Sequence, residues 1–518
     1  MPGRKPNVIL IVLDTHRVDR LGCYGYSMDT TPNLDSVAQN ATLYENAISP
    51  AQWTIPSHAS MFTGEYPSTH KTIQASDGIN PNFRTLAEYA LESGYQTIGF
   101  CNNPLVGVLD NGFRRGFQKF YNYGGTVPSL PYRDENKTFT FISKLRRNYT
   151  KLIDKLATPI QQAVAVSPEV LQIALNPLLV PLWTRYSNFK GDTPSSLKDA
   201  AYYINQIDTI KRDDPHFVFM NLMETHLPYI APQKFVSKFS PIVVEDSRAQ
   251  TFINKYNTKA LQWLLPLDEP YQKRESKTLW SMYDAEVAYQ DWLLHELLDE
   301  LNKPEHLENT ILIIVSDHGE MLGEHQIMGH GLGVHEELIH VPMIIRYPGQ
   351  TQGVRIKQAV STTQIFHTIL NEIGIDDIVT PYKEKISTRK FSLSDSTRSG
   401  YVFSESYTPH SLLTILKKYG PDLIDKFHCR SARWAVYNQP YKLIRTQDVQ
   451  DDLFDYVNDP KETTALSNEN QSHLKLATEL ERFLETASSK SSAHYENSNV
   501  EITDSGVSDR LRKLGYID

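Results

Sequence analysis

Residues 8–13 form an unbroken apolar run, Val-Ile-Leu-Ile-Val-Leu, that stops on Asp14. A run this short and this rich in β-branched residues predicts a strand buried on both faces, because a half-exposed strand would alternate apolar with polar side chains. Comparable runs recur at residues 97–101, 216–221, 310–316 and 342–347, separated by helix-length segments such as 83–93 and 283–301. Doubly buried strands spaced by helices predict an α/β chain with a large, mostly parallel central sheet flanked by helices.

Three of these runs end in polar residues: Asp14 after the first, Glu224, Thr225 and His226 after the third, Asp317 and His318 after the fourth. Open α/β sheets carry their sites beyond the carboxyl ends of the strands, so clusters far apart in sequence are expected to converge there.

A chain of 518 residues exceeds what a single core normally serves. Residues 1–384 are read as a catalytic domain in which residues 132–283, helical in pattern and irregular, form an insertion covering the site. Residues 385–518 are read as a smaller C-terminal α+β domain. It should hold a hairpin at 431–446 around Asn438, Gln439 and Pro440, a helix at 473–487 and a flexible polar stretch at 488–508. The net charge of -9 argues against nucleic acid as a partner. Three cysteines, Cys23, Cys101 and Cys429, are too few and too odd for a disulfide framework. The opening residues lead straight into the first apolar run with no separate signal-like segment, so a cytoplasmic location is expected. The apolar stretch 163–183 is broken by Pro168, Glu169, Pro177 and Pro181, so no transmembrane segment is expected. Oligomeric state is not legible.

Thr54 has Pro56 two positions later and Gly64 ten later, which predicts a helix with Thr54 as its N-cap. The hydroxyl would then lie at the positive end of a helix, a place that suits a phosphate or sulfate; an ordinary capping threonine fits the same local pattern. A threonine alcohol is a weak nucleophile and needs a metal or a base. Asp14, Asp317 and His318, with the Thr54 oxygen, would make a mixed oxygen and nitrogen site for one divalent ion, Mn, Ca, Zn or Mg. Read alone, Asp317, His318 and Gly319 could be a plain turn after a strand.

Residues 317–340 hold His318, His325, His330, His335 and His340, out of 17 histidines in the chain. Of these, His318 is advanced as a metal ligand and His330 as a substrate contact, with His325 open to either role. His226, between a strand and Pro228, would point into the same crevice as a donor to the ester oxygen or an acid for the leaving group. A loop histidine without a task is the competing reading.

On these residues the chain resembles the sulfatase family of the alkaline phosphatase superfamily, from residue 7 to about 348 and more weakly to the end. The resemblance rests on Asp14-Thr15-His16-Arg17, Leu21 to Gly25, Thr30 to Leu34, the stretch from Thr54 to Gly64, Ser316 to Glu320 and Glu336 to Gly349. Leu453-Phe454-Asp455, Asn458-Asp459-Pro460 and the closing Leu511 to Tyr516 add to it. It implies that Asp14, Asp317, His318 and Thr54 bind a metal and that His226 and His330 contact the transferred group. The departures are equally specific. Family members carry a Cys or Ser oxidised to formylglycine where Thr54 stands, and an arginine where His58 stands. Thr15 replaces one of a pair of acidic residues, and Asn102 and Pro104 occupy the spacings of a lysine and a histidine. An asparagine amide such as that of Asn102 can still donate to an oxyanion.

The function expected is a metal-dependent, sulfatase-like hydrolase of phosphate or sulfate esters. Phosphodiesters or phosphonate monoesters are the favoured substrates, and Thr54 is the nucleophile. Other superfamily branches with a metal-adjacent threonine act on phosphodiesters. The substrate would be a small-molecule or lipid-like ester, the latter suggested by the apolar portion 171–183. The alternatives are a sulfuric ester hydrolase using unmodified Thr54, a soluble phosphotransferase, and a catalytically dead sulfatase-like binding protein.

Overall fold

The computed structural model describes residues 5–124, 132–134, 190–209, 214–259, 264–375, 400–467 and 470–496. The strands, in chain order, begin with β1 (Asn7–Leu13), β2 (Thr42–Ile48), β3 (Gln96–Cys101), β4 (Lys119–Asn122), β5 (His216–Leu222) and β6 (Thr310–Val315). A small ribbon follows, β7 (Met321–Leu322) with β8 (Met328–Gly329), and then β9 (His340–Val341), β10 (Met343–Arg346) and β11 (Val354–Ser361). The last four are β12 (Val402–Ser406), β13 (Arg433–Asn438), β14 (Tyr441–Thr446) and β15 (Asp452–Asp455).

The central sheet runs in the order β11-β2-β10-β6-β1-β5-β3-β4, with β9 on β2. β1 is parallel to both β5 and β6, so all seven of its residues are buried, which is why its sequence does not alternate. β10 runs antiparallel to β2 and β6, and the remaining main-path pairs are parallel. Val8, Leu10 and Val12 face a layer containing Ile55 and Phe62 of the helix Thr54–Thr63. Ile9, Ile11 and Leu13 face Leu197 and Ile204 of the helix Thr193–Thr209, together with Leu294 and Leu298 of the helix Lys273–Leu301. Burying both sets of side chains is the main apolar driving force of the domain.

Two expectations are corrected. Residues 132–283 are not an insertion throughout, because β5 is a central strand paired with β1 and β3, and the helix Thr193–Thr209 packs on the sheet. What stands apart from the sheet is the segment of helices Gln233–Phe239, Pro241–Glu245 and Ser247–Thr258, whose apolar cluster includes Tyr229, Phe235, Tyr256 and Tyr283. Residues 135–189, with the apolar stretch 163–183, lie outside the described residues.

The second correction concerns the C-terminus. β12 to β15 form an antiparallel sheet that includes the expected hairpin, and Leu476, Leu480 and Phe483 pack on it from the helix Gln471–Glu496. That helix continues into the stretch expected to be flexible from 488. Ala487 and Ser491 stay buried on the packed face, and Lys490 pairs with Glu65 at 3.3 Å. Residues 497–508 and the expected domain boundary near 385 lie outside the described residues. Among the described residues, no helix is long and apolar enough to cross a membrane.

Candidate functional site

Because β1, β5 and β6 are parallel neighbours, their carboxyl ends open at one edge of the sheet. Asp14 leaves β1 with its N–H on the Leu222 carbonyl at 2.8 Å, and Thr225 Oγ1 donates to the Asp14 carbonyl at 2.6 Å. Ser316 Oγ lies 2.6 Å from the carbonyls of both Leu13 and His318, which fixes the turn after β6 against the end of β1. The result brings one donor atom each from Asp14, Asp317 and His318 within 4.8 Å of one another, all three fully buried.

The electrostatics of this group are those of a cation site. Asp14 Oδ1 and Asp317 Oδ2 are buried acceptors without hydrogen bonds. Burial pushes the Asp14 carboxyl up to about 6, against the opposing hydrogen bond from Asn103. Burial and then the Asp14 charge hold Asp317 well above the usual carboxylate range. Unpaired carboxylates this deep are costly, and a divalent ion relieves the cost. Burial, followed by the charge of His330, keeps His318 neutral. Its Nδ1–H donates to the Gly319 carbonyl at 2.9 Å, which leaves the Nε2 lone pair facing Thr54 Oγ1 at 3.3 Å and Asp317 Oδ2 at 3.4 Å. A neutral imidazole with its tautomer fixed from behind is the form that binds a metal. Asp14, Asp317, His318 and the Thr54 oxygen therefore fit a divalent cation.

Thr54 is not the N-cap. Trp53 takes that extended position, Thr54 is the first helical residue, and the Thr54 side chain caps nothing. Its hydroxyl is left to face His318.

His58 does not reach a substrate position. It is fully buried, edge-on to Phe62, Phe113 and Phe219, with Nδ1 3.0 Å from the Thr54 carbonyl and 3.4 Å from Asp317 Oδ2. Burial holds it neutral, with a pKa lowered to about 4. It holds the start of the Thr54 helix from behind through the Thr54 carbonyl, and Asn221 Nδ2 lies 3.2 Å from its Nε2.

Asn102 is corrected as well. Its amide donates to Thr193 Oγ1 at 2.7 Å and faces the Lys190 carbonyl, so it has no donor to offer an oxyanion. The residue that reaches the cluster is Asn103, whose Nδ2 donates to Asp14 Oδ2 at 2.6 Å while its Oδ1 accepts from Leu105 N–H at 2.8 Å. The sequence signal was there: an asparagine before Pro104 is a natural helix N-cap two residues past a buried strand. Thr15 holds a left-handed φ of 58°, unfavourable for a β-branched residue, and its hydroxyl donates to the Asp14 carbonyl. Its N–H donates to Asp317 Oδ1 at 3.3 Å, so the residue in place of a second carboxylate supplies a donor to Asp317.

His226 and His330 stand side by side, ring centroids 5.1 Å apart, and His330 lies 4.7 Å from the His318 ring. Their pKa values are shifted in opposite directions. Burial, then His330, lowers His226 to about 3, and its Nδ1–H donates to the Leu227 carbonyl at 2.9 Å. That tautomer gives Nε2 an acceptor role, not the acid role expected of it. Burial works against charging His330, but Glu320, 3.0 Å from Nδ1, outweighs it and raises the pKa. Glu320 is fully buried and carries no separate signal beyond its place in the Asp317 motif. Lys190, on Glu286 at 3.2 Å and the Glu224 carbonyl at 2.7 Å, also went unread because it lies in a segment taken for an insertion. His325 belongs to a different cluster, with His335 and Glu462.

The chain is similar to known proteins over most of its length. The sulfatase family matches residues 6–375. The chain is 25% identical to an arylsulfatase of Clostridium perfringens across 90% of each sequence. It is 26% identical to an ulvan-active sulfatase of Formosa agariphila, covering 73% of this chain and 63% of that protein. In structure it resembles the phosphonate monoester hydrolase of Agrobacterium radiobacter, with a TM-score of 0.60 and 18% identity over 94% of this chain and 96% of that one, a likeness of fold.

Proposed function

The chain belongs to the sulfatase family, and on that premise we propose that it hydrolyses phosphodiesters or phosphonate monoesters through the hydroxyl of Thr54. At the coarser level it is an ester hydrolase of the alkaline phosphatase superfamily. The observation that carries the finer reading is the Thr54 hydroxyl, uncapped and 3.3 Å from His318 Nε2 inside a group of buried, unpaired carboxylates.

A divalent ion held by Asp14, Asp317 and His318 would acidify the Thr54 hydroxyl and offset the substrate's negative charge. With its proton lost to solvent, Thr54 Oγ1 forms a bond to phosphorus as the bond to the leaving oxygen breaks. That oxygen takes a proton from His330, which Glu320 keeps protonated. Water then attacks phosphorus and gives a proton back to His330, while Thr54 Oγ1 departs and regains its own proton from solvent. Asn103 and the Thr15 N–H hold the two carboxylates in place throughout.

Threonine chemistry favours phosphorus over sulfur. Oxidation at its Cβ gives a ketone and not an aldehyde, so the route that cleaves a sulfate through an aldehyde hydrate is closed, whereas a phosphorylated threonine is open to in-line attack by water. The phosphonate monoester hydrolase that shares the fold supports the same reading. Sulfate ester hydrolysis by unmodified Thr54 is the second reading, favoured by the arylsulfatase and ulvan-active sulfatase relatives. Three free thiols, Cys23, Cys101 and Cys429, accord with the cytoplasmic location included in this proposal.

The test is a panel of bis(4-nitrophenyl) phosphate, a 4-nitrophenyl phosphonate monoester, 4-nitrophenyl phosphate and 4-nitrophenyl sulfate, with Mn, Zn, Ca or Mg added to chelated enzyme. Turnover of the first two above the sulfate supports the reading. Preference for the sulfate replaces it with the second, products joined to added glycerol indicate a transferase, and no turnover with any ion indicates a binding protein.

A further inference from the structure

A second cluster of donor side chains lies outside the Thr54 group. His325, His335 and Glu462 each offer one donor atom, and the three atoms lie within 4.8 Å of one another. They come from two parts of the chain. His325 sits in the single turn Glu324–Gln326, His335 precedes the short helix Glu336–Ile339, and Glu462 lies on the turn after β15 of the C-terminal sheet. Glu462 Oε2 is 2.8 Å from His335 Nδ1. Beside them, Glu337 Oε2 lies 3.7 Å from His325 Nε2 on a side chain only 9% exposed, outside the group of three.

Three carboxylates, Glu336, Glu337 and Glu462, lie in this region. Glu336 and Glu462 share the single buried ammonium of Lys442, and Glu337 has no lysine or arginine paired with it among the described residues. His340 pairs with Glu336 at 3.2 Å. His325 and His335 are stacked, ring centroids 3.9 Å apart and 9° from parallel, so protonating both would set two like charges face to face. A single divalent ion bound here pairs with the Glu462 carboxylate and needs both rings neutral. His325 and Glu462 also hold left-handed φ angles, 52° and 50°, which cost energy unless the surroundings impose them.

We propose that His325, His335 and Glu462 bind a second divalent ion that joins the catalytic domain to the C-terminal sheet. Two imidazoles and one carboxylate in a compact group suit zinc or a similar imidazole-preferring ion better than Ca or Mg. Its role is structural. It fixes the turn carrying Glu462 to the loop that follows the Asp317 motif, two segments that the unfolded chain does not keep together.

Zinc uptake by tag-free protein tests this, using the Asp317→Asn variant so that the Thr54 group is disabled. After chelation and dialysis against zinc, Asp317→Asn should bind one zinc more than the same variant carrying His325→Gln and His335→Asn. At zinc about a hundredfold above Kd its Tm should rise by about 2–3 °C, a rise missing from the triple variant. Equal uptake in the two proteins would overturn the proposal. Should the triple variant fail to fold, cobalt loading of Asp317→Asn replaces it: visible absorption bands of a four-coordinate site support the proposal, and their absence overturns it.

Discussion

Thr54 Oγ1 lies 3.3 Å from His318 Nε2, across 264 positions of sequence. The contact exists because β1 pairs with β6, which brings the turn carrying Asp317 and His318 beside Asp14, and because the helix opening at Thr54 packs on the same sheet. It places the Thr54 hydroxyl beside the group formed by Asp14, Asp317 and His318.

Metal affinity should fall steeply as pH drops through about 6, where Asp14 takes up a proton. The sign follows from the raised carboxyl. In metal-free protein Asp14 contributes stability fully below its ordinary 3.8 and loses it as pH rises to about 6, so metal binding must displace that proton. Calorimetry of Mn or Zn binding at pH 5, 6 and 7, in buffers of different ionisation enthalpy, should show proton release at the lower values and almost none at pH 7 from Asp14.

Asn103→Ala should weaken metal binding by about 10–100-fold, the usual effect of removing a hydrogen bond that orients a ligand. Asn102→Ala should leave metal affinity unchanged and lower stability instead, because its buried amide holds Thr193. Titrating both variants with the same ion separates the two neighbours.

Glu320→Gln should reduce kcat on esters with poor leaving groups by about 10²-fold and have little effect on nitrophenyl esters, which need no acid. Glu320 raises the pKa of His330, so its loss should move the alkaline limb of the pH profile to lower pH. An unchanged limb would remove His330 as the acid.

Lys442→Met should destabilise the protein by about 3–5 kcal/mol, because it strands Glu336 and Glu462 as buried charges. Burial opposes charging both carboxyls, yet Lys442 holds them below the usual 4.5. Their contribution is therefore present above pH 4.5 and is lost as pH falls below it. Urea denaturation of wild type and variant between pH 3 and 7 checks both statements.

The parts of this molecule that were legible in sequence are those governed by local pattern. β1, β3, β5, β6 and β10 announce themselves as doubly buried runs, and a parallel sheet then forces Asp14, Asp317 and His318 to one edge. β4 and β11 went unread because four residues ending at Asn122, or eight with exposed positions from Val354 onward, do not stand out as apolar runs. The errors at the site came from side-chain direction, which spacing does not give. Asn102 and Asn103 are adjacent, and only the backbone turn after β3 decides that Asn103 faces Asp14. His58 occupies a position suggestive of catalysis, but three phenylalanines around it make it a buried support. Glu320 meets His330 through the fold of the intervening loop, and Lys190 meets Glu286 from far along the chain, so neither leaves a local signature.

The central claim, that Thr54 is the nucleophile, is tested most directly by acid-quenching the enzyme during turnover of a phosphonate monoester and mapping the covalent adduct by peptide mass. The account predicts a phosphonyl group on the peptide containing Thr54 in wild type, and at least a 10³-fold loss of turnover, without adduct, in Thr54→Ala. An adduct on another side chain, or wild-type turnover in Thr54→Ala, would contradict it.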